Sequence, residues 1–306
     1  AVGVIGALTL ALFQGSLSLN TFLESLMGAT RTSAMIALIL MGAAFLSLSM
    51  GFTFLWKQAG TPSIHLPQTH AIVQLMRLLC DYASETIILL TETNVPKAEN
   101  LSYFGNRNEA HAIYNFPLPP LILHAVMSGS ARYLRRWQSG MPPAQFGCAY
   151  LNFTASHDGI GMRPAEGILP PEEQARMIDT IKDIGGLVSM RALPDGGEAP
   201  YEINTTFYEA TSRTFDGLDS LHFERFVCSQ TIVMSLEGIP AFYIHSMLAT
   251  PNDHMQVARR GMNRAINRHR WDYPTLNALL DDPATVQSQV LGALSDRLGI
   301  RARQPA

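Results

Sequence analysis

The chain has 306 residues, with 22 Lys and Arg against 25 Asp and Glu and a formal net charge of -3, so it lacks the basic excess with which nucleic-acid binders neutralise phosphates. Its cysteines, Cys80, Cys148 and Cys228, are odd in number, far apart and without CxxC spacing, which speaks against a disulfide framework or a zinc site. They read as buried small hydrophobes in a reducing compartment.

The first residues, "AVGVIGALTLALF", are apolar and start without methionine, followed by the polar break "QGSLSLN". From Thr32 to Trp56 no residue is charged, and the run lies between Arg31 and Lys57. That length is enough to cross a bilayer core of about 30 Å. A secretory signal would need a basic start and a small-residue cleavage site, and neither is present. The competing reading is a buried helix of a soluble protein, but such helices seldom run so long without a charge. The expectation is therefore transmembrane-like helices, with possible membrane contact through residues 32–56. The flanking charges are too balanced to set an orientation.

After Lys57 the texture changes to short apolar runs alternating with amphipathic stretches, the mark of β/α units around a parallel sheet. "HAIVQLMRLLCDYA" (70–83) has helical spacing, and "TIILLTETN" (86–94) reads as a buried strand opening into a polar loop. "AHAIYNF" follows as a strand, with "LPPLILHAVMSG" and "ARYLRRWQ" as helices. "CAYLNFTASHDG" (148–159) is a third strand, with the helix "PEEQARMIDTIKDIG" after it. "PYEINTTFYEA" (200–210) reads as an inserted strand and loop, and "LHFERFVCSQTIVMSLEG" (221–238) as a long helix closed by glycine. "IPAFYIHS" (239–246) is the last strand. This makes about four strand-to-helix units, where a closed barrel needs eight.

In such an architecture, polar residues at the C-terminal ends of parallel strands are the first candidates for chemistry. Glu92 ends the first strand, His157 and Asp158 the third, and His245 the last. An acid directly beyond an apolar strand is placed to have its pKa raised and to act as a general acid. A second carboxylate beside it, held ionised, suits the stabilisation of positive charge, and Asp/Glu pairs across a sugar serve glycosyl transfer. Each residue also has a plain structural reading, as a helix cap, a loop ion pair or a hydrogen-bonded couple. Spacing alone supports a sugar site weakly.

Residues from about 54 to 306 resemble glycoside hydrolase family 13, in the branch of the sucrose and glucosylglycerate phosphorylases. The motifs that carry the likeness are "FLWKQAGTPSIHLPQTHAIVQL", "LLTETNVPKAENLSYFGN", "NFTASHDGIGMRPAEGIL", "PYEINTTFYEA", "SLEGIPAFYIHSMLATPND" and "GMNRAINRHRW", in family order. The resemblance implies an α/β fold, a partial (β/α)8 TIM barrel of about strands 5 to 8, whose β-rich C-terminal domain lies beyond the end of this chain. It implies Glu92 as general acid/base, Asp158 as transition-state stabiliser and His157 as a ligand of the sugar. It further implies Arg268 near the donor site and phosphate, and Tyr201 and Glu202 in the acceptor or phosphate loop. Sucrose phosphorylases usually carry Gln where Glu202 stands, which hints at an acceptor other than fructose. The implied chemistry is retaining double displacement between a small sugar substrate and inorganic phosphate, in the cytoplasm, with no metal or organic cofactor.

The family's nucleophile lies directly before the segment that here reads "FLWKQAG". Counting back from Trp56 puts Met50 at the aspartate's place, and no Asp or Glu occurs between Glu24 and Asp81. A thioether cannot displace a glycosidic oxygen. Residues 1–53, with "RTSAMI" and the Gly/Ala-rich span after it, resemble a piece of the large membrane subunit of tripartite ATP-independent periplasmic transporters. The sequence thus divides into a transporter-like apolar segment, 1–53, and an incomplete barrel, 54–306. The expected function is that of a glucosyl-transferring phosphorylase, inactive as written because of Met50. The alternatives are a fragment of a membrane transporter or a non-functional chimera.

Overall fold

The computed structural model of the protein describes residues 55–61, 63–83, 87–193 and 196–304. The transmembrane-like and transporter-like readings of residues 1–53, and the environment of Met50, lie outside the described residues. Among the described residues no helix is long and apolar enough to cross a membrane.

Helix α1 (Pro67–Ala83) precedes strand β1 (Leu90–Thr91). Strand β2 (Ala112–Tyr114) leads into helix α2 (Leu118–Ser128), and β3 (Ala149–Asn152) follows. The next elements are β4 (Ile160–Gly161), α3 (Pro171–Asp183), β5 (Leu187–Ala192) and β6 (Glu198–Asn204). A small hairpin of β7 (Arg213–Thr214) and β8 (Gly217–Leu218) precedes α4 (His222–Ser235). Strand β9 (Ile239–Pro240) and helix α5 (Val286–Ala302) complete the frame.

Strands β1, β2, β3 and β9 form one parallel sheet in that order, with Leu90 opposite Ala112, Ile113 opposite Tyr150 and Leu151 opposite Ile239. Sequential parallel neighbours joined through helices are the β/α pattern that the apolar runs announce. The strands are shorter than those runs. Pro240, opposite Asn152, has no N–H to donate, so a regular ladder cannot continue through it. Phe242 and Tyr243 then lead into the helix Ile244–Met247, which carries His245. His245 is therefore on a helix and not, as the sequence implies, on the last strand.

Helix α2 shows why the core sits where it does. Pro119 and Pro120 occupy its first turn, where their missing N–H groups have no intrahelical partner to lose. Leu118, Leu121, Ile122, Leu123 and Met127 are fully buried, and Gly129 closes the helix in the left-handed conformation at φ 68°. Buried His124 sets its Nε2 2.9 Å from Glu173 Oε2 and so ties α2 to α3. Met177 and Ile181 from α3, Phe207, Phe226 from α4 and Val290 and Leu294 from α5 fill the same core.

Between β3 and α4 the chain leaves the parallel sheet. Strand β6 pairs antiparallel with both β4 and β5, so "PYEIN" is the middle of a three-stranded sheet rather than a strand leading into a loop. The helix Phe207–Ala210 follows, its N-terminus capped by Thr206. Helix α4 ends at Ser235, three residues before the glycine expected to close it, and Leu236 already has extended backbone. The cysteines are free, but Cys228 is exposed and Cys80 and Cys148 only half-buried. The reading of all three as buried hydrophobes is thus corrected.

Candidate active site

Parallel strands put their C-terminal ends on one rim of the sheet, and two carboxylates, Glu92 and Asp158, lie at or in the loops that start from that rim. Glu92 directly follows β1, half-buried between the fully buried Thr91 and Thr93. Tyr114, at the end of the neighbouring strand, has its phenol pushed up to about 12, first by burial and then by the negative charge of Glu92. Asn115 donates to Asn152 Oδ1 at 2.9 Å, and Asn152 donates to the carbonyl of Glu237 at 2.8 Å. These amides fasten the rim of β2 to that of β3 and to the approach to β9.

Asp158 lies six residues past the end of β3, in a loop rather than at the strand end itself. Its Oδ1 accepts from Arg264 at 2.8 Å and from Arg268 at 2.8 Å, and His157 Nε2 is 3.5 Å away. Arg268 also donates its Nε to the carbonyl of His157 at 2.7 Å. Asn267 donates to the carbonyls of Ser156 and Asp158, at 3.2 and 2.9 Å. The loop is thus held from the 3-10 turn Asn263–Asn267 by both side-chain and backbone bonds. Tyr243 donates to the carbonyl of Asn267 at 2.9 Å, and burial raises its phenol pKa.

Glu202, on β6, is buried at 4 % exposure and bound as a fork: Arg264 Nε donates to Oε1 at 2.7 Å and Nη2 to Oε2 at 2.9 Å. Asn204 adds a bond to Oε1 at 2.8 Å. Arg264 is therefore shared by two carboxylates, and its hydrogen bonds to Glu202, ahead of any other influence, raise its pKa. Tyr201, the neighbour of Glu202, is half-buried and accepts the backbone N–H of Met162 at 2.9 Å through its carbonyl.

The structure accordingly gathers His157, Asp158, Glu202 and Arg268 into one network, with Tyr201 next to it in β6. Glu92 stands on the same rim at the far strand. Arg264 was not among the sequence candidates, although it makes more contacts to the carboxylates than Arg268 does. The signal was available in "NRAINRH": two arginines four residues apart lie on one side of a helical turn and can reach the same group.

No protein-family profile matches the chain. It is 42% identical over 266 residues to the glucosylglycerate phosphorylase of Spirochaeta thermophila, covering 87% of this chain and 45% of that protein. It is also 42% identical over 255 residues to the glucosylglycerate phosphorylase of Allomeiothermus silvanus, covering 83% and 46%. The chain is homologous to these phosphorylases. It spans less than half of their length. The solved sucrose 6F-phosphate phosphorylase of Thermoanaerobacter thermosaccharolyticum shares the fold, with a TM-score of 0.69 at 21% identity over 84% of this chain and 49% of that one.

The first phosphorylase match is longer than the segment 54–306, so it runs upstream of Phe54 into residues read as transporter-like. A stretch of that length within 306 residues must take in Met50, Glu92, Asp158 and Glu202. None of these phosphorylase matches supports the transporter resemblance.

Proposed function

We propose that the chain carries the acid/base and transition-state-stabilising part of an active site for phosphorolysis of an α-glucoside of the glucosylglycerate or sucrose type. The observation that carries this reading is the joint placement of Glu92 and the arginine-bound Asp158 on one rim of a parallel sheet, within a stretch 42% identical to a glucosylglycerate phosphorylase. Glu92, half-buried beyond an apolar strand, suits protonation of the leaving oxygen and later deprotonation of the acceptor. Asp158, ion-paired with Arg264 and Arg268, suits an oxocarbenium-like transition state. His157 is placed to bind the sugar, and Arg268 to meet phosphate or the donor. Glu202 acts through Arg264, which takes up both of its oxygens. A retaining mechanism also needs a nucleophile, and Met50 stands where the resemblance puts that aspartate.

The 306-residue chain is expected to release no glucose 1-phosphate from glucosylglycerate and phosphate. Turnover that disappears on Glu92→Gln would show that Met50 is not the obstacle. The site is tested by exchanging residues 55–304 into the Spirochaeta thermophila phosphorylase in place of their counterpart. Phosphorolysis by that hybrid is expected, and Glu92→Gln or Asp158→Asn in it should lower kcat by about a hundredfold or more. A folded hybrid without activity, or one indifferent to both substitutions, would refute the reading.

A further inference from the structure

A cavity of about 420 Å³ lies beside the helix Arg132–Ser139, between the loop that follows Glu92 and the segment that follows β4. Lys97, Arg136 and Arg163 bring three positive charges to it, against the single carboxylate of Glu166. Glu166 is already paired with Arg191 at 2.8 Å, and Lys97 donates to the carbonyl of Gly140. The side chains of Arg136 and Arg163 have neither an ion pair nor a hydrogen bond among the described residues. The remaining wall is made of flat apolar surfaces, those of Tyr133, Trp137 and Pro164. Trp137 is 5 % exposed, and its indole N–H is buried without an acceptor. Neither Glu92 nor Asp158 lines this space.

We propose that this cavity binds a sugar phosphate. Arg136 and Arg163 offer forked donors to the phosphate oxygens. Tyr133, Trp137, Pro96 and Pro164 face the carbon side of the sugar. The volume falls in the range of small-molecule sites and exceeds what an inorganic phosphate fills. The proposal is independent of whether Glu92 and Asp158 perform phosphorolysis.

The test is calorimetric titration of the full chain with glucose 6-phosphate, with inorganic phosphate and glucose as separate arms. Glucose 6-phosphate is expected to bind saturably and more tightly than either arm. Arg163→Ala and Arg136→Ala should each weaken it about tenfold or more, whereas Asp158→Asn leaves it unchanged. Arg163→Lys, which keeps the charge, should retain part of the affinity, and each variant's melting temperature shows that it is folded. Ligand-induced quenching of tryptophan fluorescence should vanish in Trp137→Phe. No saturation at millimolar glucose 6-phosphate overturns the proposal, as does binding that survives the double arginine variant. Equal affinity for inorganic phosphate would reduce the cavity to an anion site and refute the sugar part. Loss of binding in Asp158→Asn would assign the ligand to the carboxylate network instead.

Discussion

Arg264 is the residue on which the carboxylate network depends. It satisfies both oxygens of the buried Glu202 and one of Asp158, so its removal leaves the Glu202 carboxyl buried with only Asn204 as a side-chain partner among the described residues. Breaking one side of such a pair is far more costly than never having formed it. Arg264→Ala is expected to destabilise the fold by about 3 kcal/mol, read as a lowered melting temperature, and adding Glu202→Gln should recover part of the loss. An undiminished melting temperature in the single variant would mean that water replaces the guanidinium. The histidines add a pH dependence. Burial, ahead of the nearby His269, lowers the pKa of His245, and burial, ahead of His70, lowers that of His65. Their folded pKa lies below the unfolded value, so the unfolded chain takes up protons first as pH falls. Stability is thus fully present above about pH 6.5 and declines below it. Melting curves should show that decline, and His245→Gln, which can still meet Thr250, should soften it.

At the scale of elements, two glycines fix how loops meet strands. A Cβ on Gly159 would lie 2.6 Å from the carbonyl oxygen of Ile203 and 2.9 Å from Glu202 Cδ, so the Asp158 loop approaches β6 as closely as it does only because no side chain intervenes. Gly159→Ala is expected to cost about 1–3 kcal/mol and to loosen the Asp158–Arg264–Glu202 arrangement. Hydrogen exchange of the β4 and β6 amides checks this, and unchanged protection would contradict it. Gly238 has φ +113°, and a Cβ there would meet the Tyr150 carbonyl oxygen at 2.3 Å, so the entry to β9 is equally intolerant. Helix α1 is the opposite case. Its helical spacing was legible in "HAIVQLMRLLCDYA", but Leu75, Leu78, Leu79 and Tyr82 are exposed, while Val73 is buried. Periodicity reveals that a helix has an apolar face and not whether that face is covered. Leu78→Glu with Leu79→Lys should change the melting temperature little and lower self-association seen by light scattering. A large loss of stability would show that the face is packed in solution.

At the scale of the molecule, the chain has four parallel strands in order among its described residues, half of what a closed barrel needs, and spans 45% of a phosphorylase relative. Met50→Asp in the 306-residue chain is therefore expected to leave it without phosphorolysis, measured as glucose 1-phosphate release, and restored turnover would overturn that view of the fold. The sequence by itself determined the alternation of β and α units, the parallel sheet and the candidates Glu92, His157, Asp158, Tyr201, Glu202 and Arg268, because apolar periodicity and motif resemblance are local properties. Only the tertiary structure decided that "PYEIN" is the centre of an antiparallel sheet and that Arg264 bridges Asp158 and Glu202. Those facts rest on contacts between residues up to 106 positions apart. Charge pairing and sheet register across such separations are set by which surfaces the folded core brings together, and no local pattern encodes them.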